Sequence, residues 1–312
     1  MPRKNLKRLA GLLVAITLVT TLGCQPGEET GQPPDIPLTA VELIRDVEYG
    51  RVGDRPLLLD IYRPITPIVS PMPAVIWIHG GGWRAGGKFP SRVESLARHG
   101  FFGISIEYRL SGEAQFPAAV EDCKCAVRWL RANAQKYNVD PDRIGVWGSS
   151  AGGHLSMMVA CADGLEGDGG WPEYSSRVRA ACAYFGPSDF ISWYELYESG
   201  LSRDTAPIQF LGGTMEEKPE AYWLASPVNH VSADDPPLLL VHGDLDQVVP
   251  FEQSEIMCQA YLEAGLEVTL AMVSGAGHGF KPLTESPISP SPEEIEQLVL
   301  DFFLEHLVYA GH

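Results

Sequence analysis

The sequence predicts an α/β fold: a mostly parallel, eight-stranded sheet with helices on both faces and an antiparallel hairpin at its start. Three observations carry this. Short apolar runs bounded by glycine alternate with stretches of helical spacing, as in chains of βαβ units. The runs are continuous rather than alternating in polarity, which marks strands covered on both faces. Residues able to do chemistry stand directly after several of these runs, where open α/β sheets hold their ligands.

Taken in order, Asp46–Arg51 and Pro56–Tyr62 read as the hairpin, with Gly53-Asp54 at its turn. Ala74–Ile78 (AVIWI) and Phe102–Glu107 are buried strands. Pro117–Gln135 has helical spacing at Val120, Cys123, Val127 and Leu130. Ile144–Trp147 is a short strand, followed by a helix from Ala151 to about Ala162. Ala180–Phe185, Leu238–Val241 and Val268–Val273 complete the sheet, and Glu293–His306 is an amphipathic closing helix. The right-handed crossover rule places the helices outside the sheet. No repeat of 20–50 residues is visible, which excludes a solenoid or propeller.

The chain has 312 residues, 45% hydrophobic and 20% charged, enough apolar mass for a full core. Its net charge of −17 repels phosphate backbones, so no nucleic-acid role is expected. The basic groups Arg3, Lys4, Lys7 and Arg8 precede an apolar run from Leu9 to Leu22, shorter than the roughly 20 residues a membrane-spanning helix needs. This is the pattern of an export signal. Thr21-Leu22-Gly23-Cys24 resembles a bacterial lipobox with its Leu one place late, so residues 1–23 are read as a lipoprotein-type signal peptide and Cys24 as the lipidation site. A plain secretory signal and an uncleaved anchor are the alternatives. Residues 24–37, rich in Pro and Gly, form a tether, and residues 38–312 form the catalytic domain. The expected location is exported and membrane-anchored, otherwise secreted.

Five further cysteines, Cys123, Cys125, Cys161, Cys182 and Cys258, are an odd number without metal-type pairs of C-x-x-C. Cys123 and Cys125 point to different faces of their helix and do not bridge each other. Buried thiols are the expectation, and a disulfide among the five is the alternative.

Four segments carry chemistry. Gly148-Ser149-Ser150-Ala151-Gly152 is a G-x-S-x-G set between a strand and a helix. The sharp turn strains the central serine and presents its hydroxyl at a helix N-terminus, which favours negative charge. Ser150 is therefore the candidate nucleophile. His79-Gly80-Gly81-Gly82-Trp83 follows the AVIWI strand and leaves backbone N–H groups uncovered. Gly81, Gly82 and Ala151 are the candidate oxyanion-hole donors, and His79 is expected to be structural. His242-Gly243-Asp244-Leu245-Asp246 offers a carboxylate after one strand, and Gly275-Ala276-Gly277-His278-Gly279 offers a histidine after the last. The order Ser…Asp…His is one such folds use.

With Asp60-Ile61-Tyr62-Arg63-Pro64, Gly87-Lys88, Tyr108-Arg109-Leu110, Phe116–Asp122 and Asp140–Ile144, these segments resemble an α/β-hydrolase of the hormone-sensitive-lipase-like and BD-FAE-like (bifunctional feruloyl and acetyl esterase) group. The resemblance covers roughly Asp46 to the C-terminus. It implies a Ser150–His278–Asp246 triad, the H-G-x-x-D-x-x-V-P pattern selecting Asp246 over Asp244. Ser149 stands where hormone-sensitive-lipase relatives carry Asp, and only the tether precedes Asp46, so an open site of the BD-FAE kind is expected. Trp83 and Tyr108 are tentative substrate contacts. The insertion at about 187–236 holds Trp193, Tyr194, Tyr197, Phe210, Tyr222 and Trp223, which either wall a pocket or form the insertion's own core.

The expected function is a serine carboxylesterase acting on small-molecule or carbohydrate esters, acetyl or feruloyl groups among them, with no metal or organic cofactor. The rivals are a serine peptidase of the prolyl-oligopeptidase kind and a non-catalytic binding protein on a hydrolase scaffold.

Overall fold

The computed structural model describes residues 38–198 and 205–309. The signal segment, the tether and Cys24 lie outside the described residues, as does the side chain of Tyr197. The sheet has eight strands in the order β1-β2-β4-β3-β5-β6-β7-β8. They are β1 Val41–Val52, β2 Arg55–Pro64, β3 Met72–Ile78, β4 Phe102–Ile106, β5 Val139–Ser149, β6 Ala180–Tyr184, β7 Leu238–Gly243 and β8 Val268–Val273. β1 and β2 pair antiparallel, β2 runs antiparallel to β4, and every later pair is parallel. The predicted hairpin, parallel body and strand count all hold.

The helices are α1 Val93–Arg98, α2 Ala118–Ala132, α3 Ala134–Tyr137, α4 Ala151–Cys161, α5 Phe190–Glu198, α6 Ala206–Leu211, α7 Pro219–Leu224, α8 Glu252–Glu263 and α9 Pro292–Leu304. Because strand side chains alternate between faces, each central strand feeds two cores. Ala74, Ile76 and Ile78 of β3 join α2 and α4 on one side, while Val75 and Trp77 join α1 and α9 on the other. Both sides of β3, β4 and β6 are buried throughout, which is why these strands read as unbroken apolar runs.

Several elements differ from the expectation, and β1 begins at Val41 rather than Asp46. β5 begins at Val139, not Ile144, because Met72 pairs with Val139 and the register then slips before Ala74 meets Ile144. α1 and α8 were not legible. α8 buries Gln253 and Ser254 beside Met257 and Tyr261, so its inner face carries no clean apolar period. The insertion resolves into α5, α6, α7 and a 3₁₀ turn at Pro227–His230. Trp193, Tyr194, Phe210 and Tyr222 are buried in it and Trp223 is 47% exposed, so its aromatics are mainly core.

Polar ties link β1, β2 and α2 to the segments that follow β3 and β4. Asp60 is fully buried on β2 and accepts from the Asp46 N–H at 2.9 Å. Lys88 Nζ lies 2.8 Å from Asp46, 3.6 Å from Asp60 and 3.6 Å from Glu107. Arg109 donates to Asp122 and to Glu121, clamping the end of β4 to α2. The five described cysteines are free thiols, four buried and Cys258 partly so.

Candidate active site

The parallel strands β3, β5, β7 and β8 end on the same side of the sheet, and each sequence-predicted segment leaves from one of those ends. β5 passes into α4 through Ser150, whose backbone is held at φ 55°, ψ −119°. A non-glycine residue pays strain there, and such strain persists only where the surroundings over-determine it. They do so here. The Ser150 N–H donates to Tyr184 O at 2.8 Å and Ser150 O accepts from His154 N at 3.0 Å. A Cβ on Gly152 would lie 2.1 Å from Ile78 O, and one on Gly148 would lie 2.2 Å from Gly152 O. The small residues of the motif are thus required by the approach of helix to strand.

The hydroxyl so presented meets the last loop. His278, in a 3₁₀ turn after β8, places Nε2 3.0 Å from Ser150 Oγ and Nδ1 2.7 Å from Asp246 Oδ2. Phe185 packs edge-on to its ring at 4.8 Å between centroids. Asp246 Oδ1 accepts from the Val248 and Val249 N–H groups at 2.8 and 3.0 Å. Burial alone would raise the Asp246 pKa. Hydrogen bonds from His242 and His278 overcome it and hold the carboxyl well below the usual carboxylate range. His242 Nε2 lies 3.4 Å from Asp246 Oδ2 but closer, at 2.9 Å, to Val249 O, so its main tie is to the loop backbone. Asp244 takes another role: its Oδ1 accepts from Gly275 N at 2.7 Å, pinning the loop that carries His278.

The glycine loop after β3 faces the same serine. Gly80 would put a Cβ 3.3 Å from Ser150 Cβ. Gly81 and Gly82 have φ of 111° and 58°, conformations that glycine adopts without penalty. Among the described residues, neither of their N–H groups donates to a protein acceptor, and the Ala151 N–H opens α4, where no intrahelical acceptor exists. His79 is structural as expected: its Nδ1 bonds Gly80 O at 2.7 Å and its ring stacks on Tyr108.

Trp83 and Tyr108 do not fit the role of substrate contacts. They are 1% and 2% exposed. Tyr108 OH donates to His79 O at 3.0 Å, and Trp83 Nε1 donates to His154 Nδ1 at 3.1 Å. Both hold the loop from behind, and their large aromatic surface is used in packing. Two residues of the site were not singled out in the sequence. His242 had a signal, standing in the same motif as Asp246. His154 had none beyond its place one turn after Ser150.

A serine on a strand-to-helix elbow, a histidine and a carboxylate from later strand ends, and a glycine loop beside them define the chain as an α/β-hydrolase. Within that class the family model described as BD-FAE matches residues 59–261. The chain belongs to the BD-FAE family. Esterase LipQ of Mycobacterium tuberculosis is 32% identical over 75% of this chain, and the match covers 56% of LipQ, so the chain spans little more than half of that relative. A truncated form of a carbohydrate esterase from gut microbiota superposes with a TM-score of 0.72 at 32% identity, over 88% of this chain and 98% of the other. The butyrate-bound esterase Est2 of Thermogutta terrifontis gives 0.67 at 27% identity, over 89% and 96% of the two chains.

Proposed function

We propose that this chain is a serine carboxylesterase that hydrolyses short-chain acyl esters through an acyl-enzyme intermediate. The observation that carries the reading is the hydrogen-bonded run from Ser150 Oγ through His278 to an amide-held Asp246, set opposite uncommitted N–H groups. In this mechanism His278 Nε2 takes the Ser150 proton as the oxygen attacks the ester carbonyl. Asp246 keeps the imidazole in the right tautomer and stabilises its cation. The N–H groups of Gly81, Gly82 and Ala151 receive the oxyanion. His278 then protonates the leaving alcohol, and water repeats the sequence on the acyl-enzyme.

Short acyl groups, acetyl above all, suit the packing. Most of the insertion's large aromatics are buried in packing, partly against Trp83, which leaves little to wall a long acyl tunnel. Each methylene left in water forgoes about 0.8 kcal/mol of burial, so longer chains gain little. An open groove of about 860 Å³ lies beside Asp246, with Glu195 and Gln247 among its polar groups and Val248, Pro250 and Ile256 among its apolar ones, a mixed lining of the kind a sugar ring takes. The gut carbohydrate esterase supports the same substrate class. Export with acylation of Cys24 completes the reading, and mass spectrometry of membrane-extracted protein tests it: an unmodified mature chain starting elsewhere refutes the anchor.

The enzymatic test is kcat/KM on p-nitrophenyl esters from C2 to C12, with acetylated xylan, methyl ferulate and a peptide p-nitroanilide alongside and Ser150→Ala as control. A maximum at C2–C4 that vanishes in Ser150→Ala is expected. A maximum at C8 or longer overturns the short-acyl assignment, and activity surviving in Ser150→Ala overturns the nucleophile.

A further inference from the structure

We infer that His154 is a positioning residue for the oxyanion loop, acting through the Trp83 side chain. The inference rests on the proposed esterase reading, in which Gly81 and Gly82 supply donors to the oxyanion.

Three consecutive residues of the loop, Gly81, Gly82 and Trp83, have positive φ, and Trp83 holds φ 56° although it carries a bulky side chain. A tryptophan does not stay in that region by preference. Something must hold it, and its side chain shows what does. The indole stacks on Phe210 of the insertion at 4.6 Å between centroids, contacts Phe190, and donates Nε1–H to His154 Nδ1. His154 is completely buried on α4, and its Nε2–H donates in turn to Ala225 O at 2.7 Å. Its two ring nitrogens therefore face opposite tasks: one accepts from the loop, the other donates to the backbone after α7. Only the neutral Nε2–H tautomer serves both. Burial first of all pushes the His154 pKa down to about 3, so that tautomer persists across the working range.

The ring is carried by the helix that begins at the nucleophile. His154 N donates to Ser150 O, so the imidazole is rigidly referred to Ser150. Through Trp83 it refers the loop to the same origin. The distance between nucleophile and proposed oxyanion donors is thereby referred to one buried ring, in addition to the backbone ties at Gly81 O and Trp83 O.

The two nitrogens can be separated by substitution. Asparagine places an oxygen where Nδ1 stands and keeps the acceptor for Trp83. Glutamine reaches the place of Nε2 and keeps the donor to Ala225. Phenylalanine keeps a ring and neither bond. Because the oxyanion exists only beyond the ground state, a displaced loop lowers kcat and leaves KM almost unchanged. With p-nitrophenyl acetate, His154→Phe should lose about 100-fold in kcat, the scale of an ångström-sized misplacement, with KM within about twofold. His154→Asn should recover most of the loss and His154→Gln should not, although both melt earlier than the parent. Trp83→Phe, which deletes the N–H and keeps one ring to stack on Phe210 while shedding the rest of the indole, should match His154→Phe, and the double variant should be no worse than either. Equal rescue by Asn and Gln, or kcat tracking the melting temperature through the series, overturns the inference. Wild-type kcat in Trp83→Phe overturns it without any variant at His154. Ser150→Ala separates the two readings: if it abolishes turnover while the His154 series is flat, only this inference falls.

Discussion

Asp246→Asn is the sharpest test of the candidate triad, because the structure fixes which way the new amide must point. Asp246 Oδ1 accepts from two backbone N–H groups, those of Val248 and Val249. An asparagine can only keep both bonds by placing its oxygen there. Its NH₂ group then faces His278 Nδ1, which must become an acceptor, and the ring proton moves to Nε2. Nε2 now donates to Ser150 Oγ where it should accept the serine proton. The geometry survives and the base is lost. In an enzyme of the triad type this change costs about 10⁴ in kcat, and at 1.36 kcal/mol for each factor of ten this is about 5.4 kcal/mol of barrier. The assay is kcat on p-nitrophenyl acetate, normalised to the concentration of folded protein. Asp244→Asn is the matched control, since Asp244 bonds Gly275 N and not the imidazole; it should lose less than about tenfold, through a looser His278 loop. An Asp246→Asn enzyme within tenfold of the parent, or an Asp244→Asn enzyme that is the more damaged, refutes the reasoning.

Other outcomes follow from the same geometry. The depressed Asp246 pKa contributes stability above its unfolded-state value of about 3.9 and loses it as pH falls through the folded value. The melting gap between parent and Asp246→Asn should therefore shrink as pH is lowered from 7 towards 3, and a widening gap contradicts the assignment. Gly152→Ala must push Ile78 O, only 2.1 Å from the added carbon, and should destabilise by at least ~2 kcal/mol in urea titrations as well as abolish turnover; a near-native midpoint would mean the elbow is looser than described. Lys88→Met leaves Asp60 buried with only Arg45, at 3.6 Å, for charge partner, and should destabilise by about 3 kcal/mol, with parent-like unfolding as the contrary result.

The central strands β3, β4 and β6 were legible because they are buried on both faces, so that each announced itself as an unbroken apolar run. Ser150, Asp246 and His278 were legible for the same reason: a strand end marks where a side chain can be aimed. What the sequence hid was the use of polar residues in packing. α8 turns Gln253 inward, where its Oε1 accepts from Ser188 and Asp189 N–H groups and ties the insertion to the helix. A face built that way has no apolar period to detect. Trp83 and Tyr108 misled in the opposite sense. Aromatic residues beside a glycine loop suggest a lined pocket, but only the fold reveals that each polar tip is aimed at the protein itself. His154 was silent because a buried histidine within an apolar helix has the same pattern whether it ties a loop or fills a space.

The three side chains of the candidate triad reach one another across long stretches of chain, 128 residues from Ser150 to His278 and 32 from Asp246 to His278. During synthesis the serine emerges first of the three, with the carboxylate following and the imidazole after it. A chain made only as far as β7 contains the elbow and the glycine loop, yet it lacks the imidazole that the proposed mechanism uses as base. Under the proposed mechanism, hydrolysis would await the docking of β8 on β7 at the edge of the sheet. In refolding, the return of turnover would then time the docking of β8, separable from the recovery of the remaining secondary structure.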